Sequence, residues 1–254
     1  MHLWQYVAIF LSLALASYVQ TLTGFAFGLI VMGLLSALDV LPIESAALLC
    51  TLLSLFNNSM ALRGRWQQVD MALMRRLLLF GLAMLPVGYH LSIWLGGSRA
   101  PFLGLLLGVM ILIACIVLMR SPEPRQTPSP NWQLHVAGLF SGLMGGLFST
   151  NGPPLVMMLY RQPMTLIAIR CTLLCAFLVM GLARMGLALV SPGRAGEHLS
   201  ELMILGTIGA VVVAGTTELA RRRPPPLSDR SLRRAAYAIL LVASLNLIGK
   251  GLMA

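Results

Sequence analysis

Apolar residues run along this chain in long blocks separated by short polar connections. The blocks fall at 3–22, 25–38, 42–62, 77–95, 101–119, 133–148, 155–160, 165–190, 201–219 and 235–252. A bilayer's hydrocarbon core of about 30 Å takes about 20 residues of helix to cross, so this pattern predicts an all-α integral membrane protein. The blocks leave no room for a soluble domain. The main connections are Arg63 to Asp70, the proline-rich stretch Ser121 to Pro130, and the basic stretch Arg221 to Arg234. The middle one divides the chain into a first unit, 1–120, a connecting loop, 121–132, and a second unit, 133–254.

Two breaks marked by glycine interrupt the blocks at matching places: Gln20-Thr-Leu-Thr-Gly-Phe-Ala-Phe-Gly28 and Ser149-Thr-Asn-Gly-Pro-Pro154. The units repeat with an offset of about 125 residues, a fixed period being the mark of duplication. Ala47-Leu-Leu-Cys50 answers Thr172-Leu-Leu-Cys175, and Leu79-Phe-Gly81 falls opposite Ile204-Leu-Gly206. Leu29-Ile-Val-Met32 and Leu155-Val-Met-Met158 follow the two breaks. In lipid an interrupted helix leaves backbone groups unpaired, so it survives only where it is buried in protein or lines a wet cavity. A pair of such breaks in corresponding halves points to a solute site.

Charge sets the expected orientation. If every long block crossed, the arginine-rich loops 63–76 and 221–234 would lie on opposite sides, against the positive-inside rule. If the broken segments near 3–38 and 133–160 enter and return, each half keeps three crossings and the repeats are inverted. Arg63, Arg65, Arg75, Arg76, Arg120, Arg125, Arg161, Arg221, Arg222, Arg223, Arg230, Arg233 and Arg234 then share the cytoplasmic side. Arg99, Arg194 and Lys250 lie outside, and Arg170 and Arg184 lie on a span. The expectation is therefore two inverted repeats, each with a broken re-entrant helix and three membrane-spanning helices.

Composition agrees. Apolar residues make up 58% and charged residues 10%, with mean hydropathy +0.86, against about 25% charged in soluble domains. The net charge of +10 comes from loop arginines, as topology requires, and implies no nucleic-acid partner. Cys50, Cys115, Cys171 and Cys175 fall in apolar stretches as small packing residues. The apolar N-terminus has no basic flank and no small-residue cleavage pattern, so it reads as a retained membrane segment. Gly104 and Gly108 could pack helices within one protomer or between two, leaving a homo-oligomer open.

The candidate chemistry sits in the breaks. Gln20, Thr21 and Thr23 in the first, and Ser149, Thr150 and Asn151 in the second, are polar among apolar neighbours. Gly24, Gly28 and Gly152 permit close approach, Phe25 stands between the first two, and Pro153 and Pro154 lack amide hydrogens. A restarting half-helix presents free amides and its positive dipole end, which suits an anion; packing kinks are the alternative. Arg170, next to the second break in sequence, is expected to face the solute, because guanidinium geometry suits an anionic group. Arg184 either snorkels or functions. Asn57 and Asn58 either bind solute or join two helices. His90 and His135, near segment ends, read as interfacial. No carboxylate lies at mid-membrane, and no phosphate-binding loop for ATP is present. No cofactor or metal is implied.

These features resemble the sulfite exporter TauE/SafE family over essentially the whole chain. The resemblance rests on Thr21-Leu-Thr-Gly-Phe-Ala-Phe-Gly28, on Gly138 to Leu155 with its Ser-Thr-Asn-Gly-Pro-Pro run, and on Ile169-Arg-Cys-Thr172. Family members often carry a glycine cluster and a proline in the first motif, where this chain has phenylalanines. The resemblance implies a bacterial inner-membrane secondary transporter, an exporter of small anions such as sulfite or sulfonates, and not an enzyme. An intramembrane lipid-phosphate hydrolase would need an acid or base beside Ser149, and the motif has none. A non-transporting membrane partner is the third possibility.

Overall fold

The computed structural model describes residues 3–119, 125–191, 199–222 and 229–253. Arg120, Glu123, Arg194, Glu197 and Arg223 lie outside them, as do part of the 121–132 loop and the side chains of Arg230, Arg233 and Arg234. The described residues form ten α-helices and no strand: α1 (Leu3–Thr23), α2 (Phe27–Ala37), α3 (Ile43–Leu62), α4 (Met71–Leu95), α5 (Ala100–Met119), α6 (Asn131–Phe148), α7 (Gly152–Leu159), α8 (Leu166–Val190), α9 (Leu199–Arg222) and α10 (Asp229–Met253).

Local chemistry explains the boundaries. Asp70 accepts from the Leu73 amide at 2.9 Å and starts α4 six residues before its apolar run, so Arg75 and Arg76 are helical. Thr165 caps α8 by accepting from the Ala168 amide at 3.3 Å. Pro153 and Pro154 occupy the first turn of α7, where a missing amide hydrogen costs nothing, so they open this helix and do not end one. α10 likewise begins at Asp229, ahead of its apolar run at 235.

Seven helices are long and apolar enough to cross a bilayer: α1, α3, α4, α5, α8, α9 and α10. The six expected to cross are among them, and α1 qualifies by its length of 21 residues. Large apolar side chains such as Val211 and Val242, each 71% exposed, face outward, as lipid as solvent requires.

Helix packing crosses between the two halves. The most extensive contact joins α4 to α6, and α1 lies against α9 in the matching position. The pairs α3–α9 and α4–α8 mirror each other in the same way, α2–α10 mirrors α5–α7, and α3–α8 and α5–α10 join equivalent helices. The α4–α6 seam depends on a stripe of small residues. A Cβ placed on Gly138, Gly142 or Gly146 would run into the backbone oxygens of Leu77, Gly81 and Leu85 respectively. This is close approach of the small-xxx-small kind, in which backbone contact replaces side-chain interdigitation.

The α6–α7 hairpin closes on itself. The Arg125 amide, just before α6, donates to the Arg161 carbonyl just after α7 at 2.9 Å. The Ser129 amide donates to Gln162 Oε1 at 3.1 Å. The entry and exit of this broken pair therefore lie at the same end of the molecule.

Because the seam admits no side chain, Gly142→Leu is expected to yield no monodisperse protein on detergent size-exclusion chromatography. Gly142→Ala should lower the apparent melting temperature by several degrees, the effect of overpacking by about 1–3 kcal/mol. A melting temperature equal to wild type in Gly142→Ala would contradict this packing.

Candidate functional site

The two breaks meet. At the first, Gly24 (φ 83°) and Ala26 (φ 89°) turn the chain in the left-handed region. At the second, Ser149 (φ 57°) does so. A Cβ on Gly28 would sit 2.7 Å from the Ser149 carbonyl oxygen and 3.2 Å from Thr150 Cγ2, so only glycine lets the elbows touch without displacement.

Most polar groups of the breaks serve the backbone. Gln20, 2% exposed, accepts from the Phe27 amide at 2.8 Å through Oε1 and so caps α2 across the gap. Its Nε2 donates to Asn58 Oδ1. Thr23 Oγ1 bridges the Val19 and Phe25 carbonyls at 2.8 and 3.0 Å. The Tyr160 hydroxyl, from the other half, donates to the Thr23 carbonyl at 2.9 Å. Ser141 Oγ donates to the Asn151 carbonyl at 2.6 Å. The expected row of free amides is correspondingly thinned. Two prolines remove donors from α7, and Gln20 takes Phe27. In α2 the Gly28 and Leu29 amides precede the bond from Ile30 to the Ala26 carbonyl (2.9 Å).

A small cavity of about 30 Å³ lies at the junction. The first break lines it through Gln20, Ala26, Gly28 and Leu29, and the second through Ser149, Thr150, Asn151 and Gly152. Ser54 and Asn58 of α3 and Phe177, Met180, Gly181 and Arg184 of α8 complete it. Of the residues singled out from sequence, Thr21, Thr23, Gly24, Phe25, Asn57, Pro153 and Arg170 do not line this cavity. Thr21 donates to the Ser17 carbonyl at 2.7 Å. Phe25 turns into an aromatic cluster, 6.4 Å from both the Tyr160 and Tyr237 ring centres. Asn57 Oδ1 accepts from Thr217 of α9 at 2.7 Å. Pro153 lines a separate apolar groove. Arg170 lies over the first turn, with Cγ 3.0 Å and Cα 3.1 Å from a Cβ built on Gly24.

The cation at the cavity is Arg184. It does not snorkel: the residue is 4% exposed. Nη1 donates to Thr51 Oγ1 at 2.8 Å and to the Ala47 carbonyl at 3.3 Å, and Nε donates to the Gly146 carbonyl at 3.3 Å. Thr51 Oγ1 meets Ser149 Oγ at 2.8 Å, linking the arginine to the second break. The Tyr89 ring lies beneath the guanidinium, 5.5 Å from centroid to Cζ. The ion pairs Arg222–Glu218 and Lys250–Asp39 lie at exposed positions and do not involve Arg184. The acceptors of its described hydrogen bonds, two carbonyls and a hydroxyl, are all neutral. Asn58, fully buried, adds a second donor at the cavity, since its Nδ2 has no hydrogen-bond partner among the described residues. On the far side of Arg184 a second small cavity, of about 20 Å³, is bounded by Glu44, Tyr89 and Ser92.

Sequence reasoning kept Asn57 and left Arg184 undecided. Helical spacing carried the missing signal. Thr51, Ser54 and Asn58 fall at i, i+3 and i+7 on one face of α3, and Phe177, Gly181 and Arg184 fall at i, i+4 and i+7 on one face of α8.

Apolar helices around a buried polar centre define a multi-pass membrane protein. The chain belongs to the sulfite exporter TauE/SafE family, whose model matches residues 9–247, making it a multi-pass bacterial membrane protein. It is similar to a protein of Cupriavidus necator described as a probable sulfite/organosulfonate exporter TauE. The two are 35% identical over 229 residues, which cover 90% of this chain and 88% of that one. No solved structure matches the chain.

Gln20→Leu removes the α2 cap and leaves a buried amide unpaired, a cost of about 1–3 kcal/mol. Thermal unfolding in detergent should show Gln20→Leu melting several degrees below Thr21→Val, whose hydroxyl serves mainly its own helix. Equal melting of the two variants would contradict the capping role.

Proposed function

We propose that this protein is a secondary transporter that exports small sulfur-containing or organic anions, such as sulfite or sulfonates, and binds them where the two breaks meet. The observation that carries the reading is Arg184, a buried cation whose described partners are neutral. Burying an uncompensated charge costs several kcal/mol, so such a residue inside a membrane protein marks a pathway for a solute of opposite sign. Asn58 Nδ2 and the α2 amides at Gly28 and Leu29 supply further donors. In this reading Gln20, Ser149, Thr150, Asn151 and Gly152 shape the site. Thr21, Thr23, Gly24, Phe25, Asn57, Pro153 and Arg170 hold the elbows that form it. The Cupriavidus necator relative's name supports the substrate class and the outward direction.

The transport cycle rests on inverted repeats, 1–120 and 133–254 joined by 121–132, each entering the membrane through a broken re-entrant hairpin. The exchanged helix contacts and the closed ends of α6–α7 support this arrangement. A cavity of about 30 Å³ is small, with room for a few water molecules at most. This arrangement is therefore the closed state of an alternating-access cycle. In this topology the Phe25, Tyr160 and Tyr237 rings lie toward the cytoplasm, and Arg184 lines both the central cavity and the small one beside Glu44. The cavity lining contains Ser149 but no His, Asp or Glu, which favours carriage over hydrolysis.

Counterflow of labelled sulfite and of a small organosulfonate in proteoliposomes tests the proposal. Arg184→Gln is expected to lower the initial rate at least about tenfold, the loss of a charge-assisted hydrogen bond. Arg76→Gln, on an exposed surface, should stay near wild type. Full activity in a folded Arg184→Gln protein would refute the site.

A further inference from the structure

A groove of about 390 Å³ runs between α5, α6 and α7, away from the central cavity and within the size range of small-molecule sites. On α6 its lining residues, Trp132, Val136, Phe140 and Met144, recur at helical spacing along one face. Twelve residues of helix at 1.5 Å each make this face about 18 Å long. One leaflet of a bilayer has a hydrocarbon depth of about 15 Å. The groove is therefore as deep as a single leaflet.

Its two ends differ in chemistry. The inner end stops at Pro153 and Pro154 in the first turn of α7, and Gly152, the first residue of that helix, lines the central cavity. The outer end opens at Arg161, Gln133 and Trp132. Arg125 joins this mouth: its Nη1 donates to Gln133 Oε1 at 3.2 Å, and its amide is fixed to the Arg161 carbonyl. Two arginines and an interfacial tryptophan thus crown an apolar slot. Basic pockets between membrane helices are binding places for anionic lipid headgroups.

Among the described residues the helix contacts of the opposite half differ. There α10 packs along both α1 and α2, while α5 reaches α7 but makes no extensive contact with α6.

We propose that this groove is a binding site for one anionic diacyl phospholipid, its phosphate held by Arg161 and Arg125 and one acyl chain lying along α6 as far as Pro153. The lipid would then form one wall of the half-helix that bears the second break. The proposal concerns bound lipid and does not depend on which solute is carried.

Native mass spectrometry of the full chain, titrated with phosphatidylglycerol and separately with phosphatidylcholine, tests it. Wild type should bind one phosphatidylglycerol at least about tenfold more tightly than phosphatidylcholine. The double variant Arg125→Gln, Arg161→Gln should lose that preference. Val136→Trp fills the slot from a position 45% exposed and should remove the tight site; Ile113→Trp, 53% exposed, does so from the α5 side. Equal affinity for the two lipids in wild type means annular lipid only and overturns the proposal. So does phosphatidylglycerol binding that survives both tryptophan variants. A dimer of chains that either tryptophan disrupts would also overturn it, by placing a second copy in the groove. Because the readout is bound lipid, loss of transport in Arg184→Gln leaves this result unaffected.

Discussion

Everything at the centre of this molecule follows from the cost of stopping a helix inside lipid. Each interrupted turn exposes amides and carbonyls that have no water to turn to. The chain answers with side chains from the breaks and from the helices around them. Gln20 reaches the Phe27 amide, Tyr160 reaches the Thr23 carbonyl, and Ser141 reaches the Asn151 carbonyl. The Tyr160 bond joins the two halves, so the elbows stabilise each other. Gly28 against Ser149 leaves no space for a side chain between them.

That accounting leaves few polar groups unspoken for, which gives the site its sign. Donors available at the cavity include Asn58 Nδ2 and the guanidinium of Arg184. Two carbonyls, one hydroxyl and an aromatic face hold the arginine, each carrying partial negative charge and none a full one. The described ion pairs of Asp39 and Glu218 lie at exposed positions, where an ion pair contributes little. A positive centre thus lies deep in the protein, held by neutral groups.

Much of this was legible in the sequence. Helix number and order followed from apolar block length, and both breaks fell where glycine, proline and small polar residues cluster. The helix starts at Asp70 and Asp229 were hidden because arginines precede the apolar runs, and hydropathy sees the lipid-facing part of a helix better than its capped end. The site was half legible. Residues of the breaks announce themselves by composition, but Ser54, Asn58 and Arg184 reach the cavity from helices remote in sequence. Arg170 drew attention by its place beside the second break, yet it lies over Gly24 of the first. Adjacency along the chain says little about which half a side chain serves when the halves are interleaved.

Interleaving also governs how the chain can be made. Ser17 of α1 finds its hydroxyl partner on Thr216, and Asn57 of α3 finds Thr217, both on α9. At about 5–20 residues per second, the roughly 160 residues between Asn57 and Thr217 take on the order of 10–30 s to synthesise. For that time the early helices wait in the bilayer with polar seams unfilled. Nascent chains are therefore at their most vulnerable before the ninth helix arrives, when membrane chaperones or proteases have their best chance to intervene.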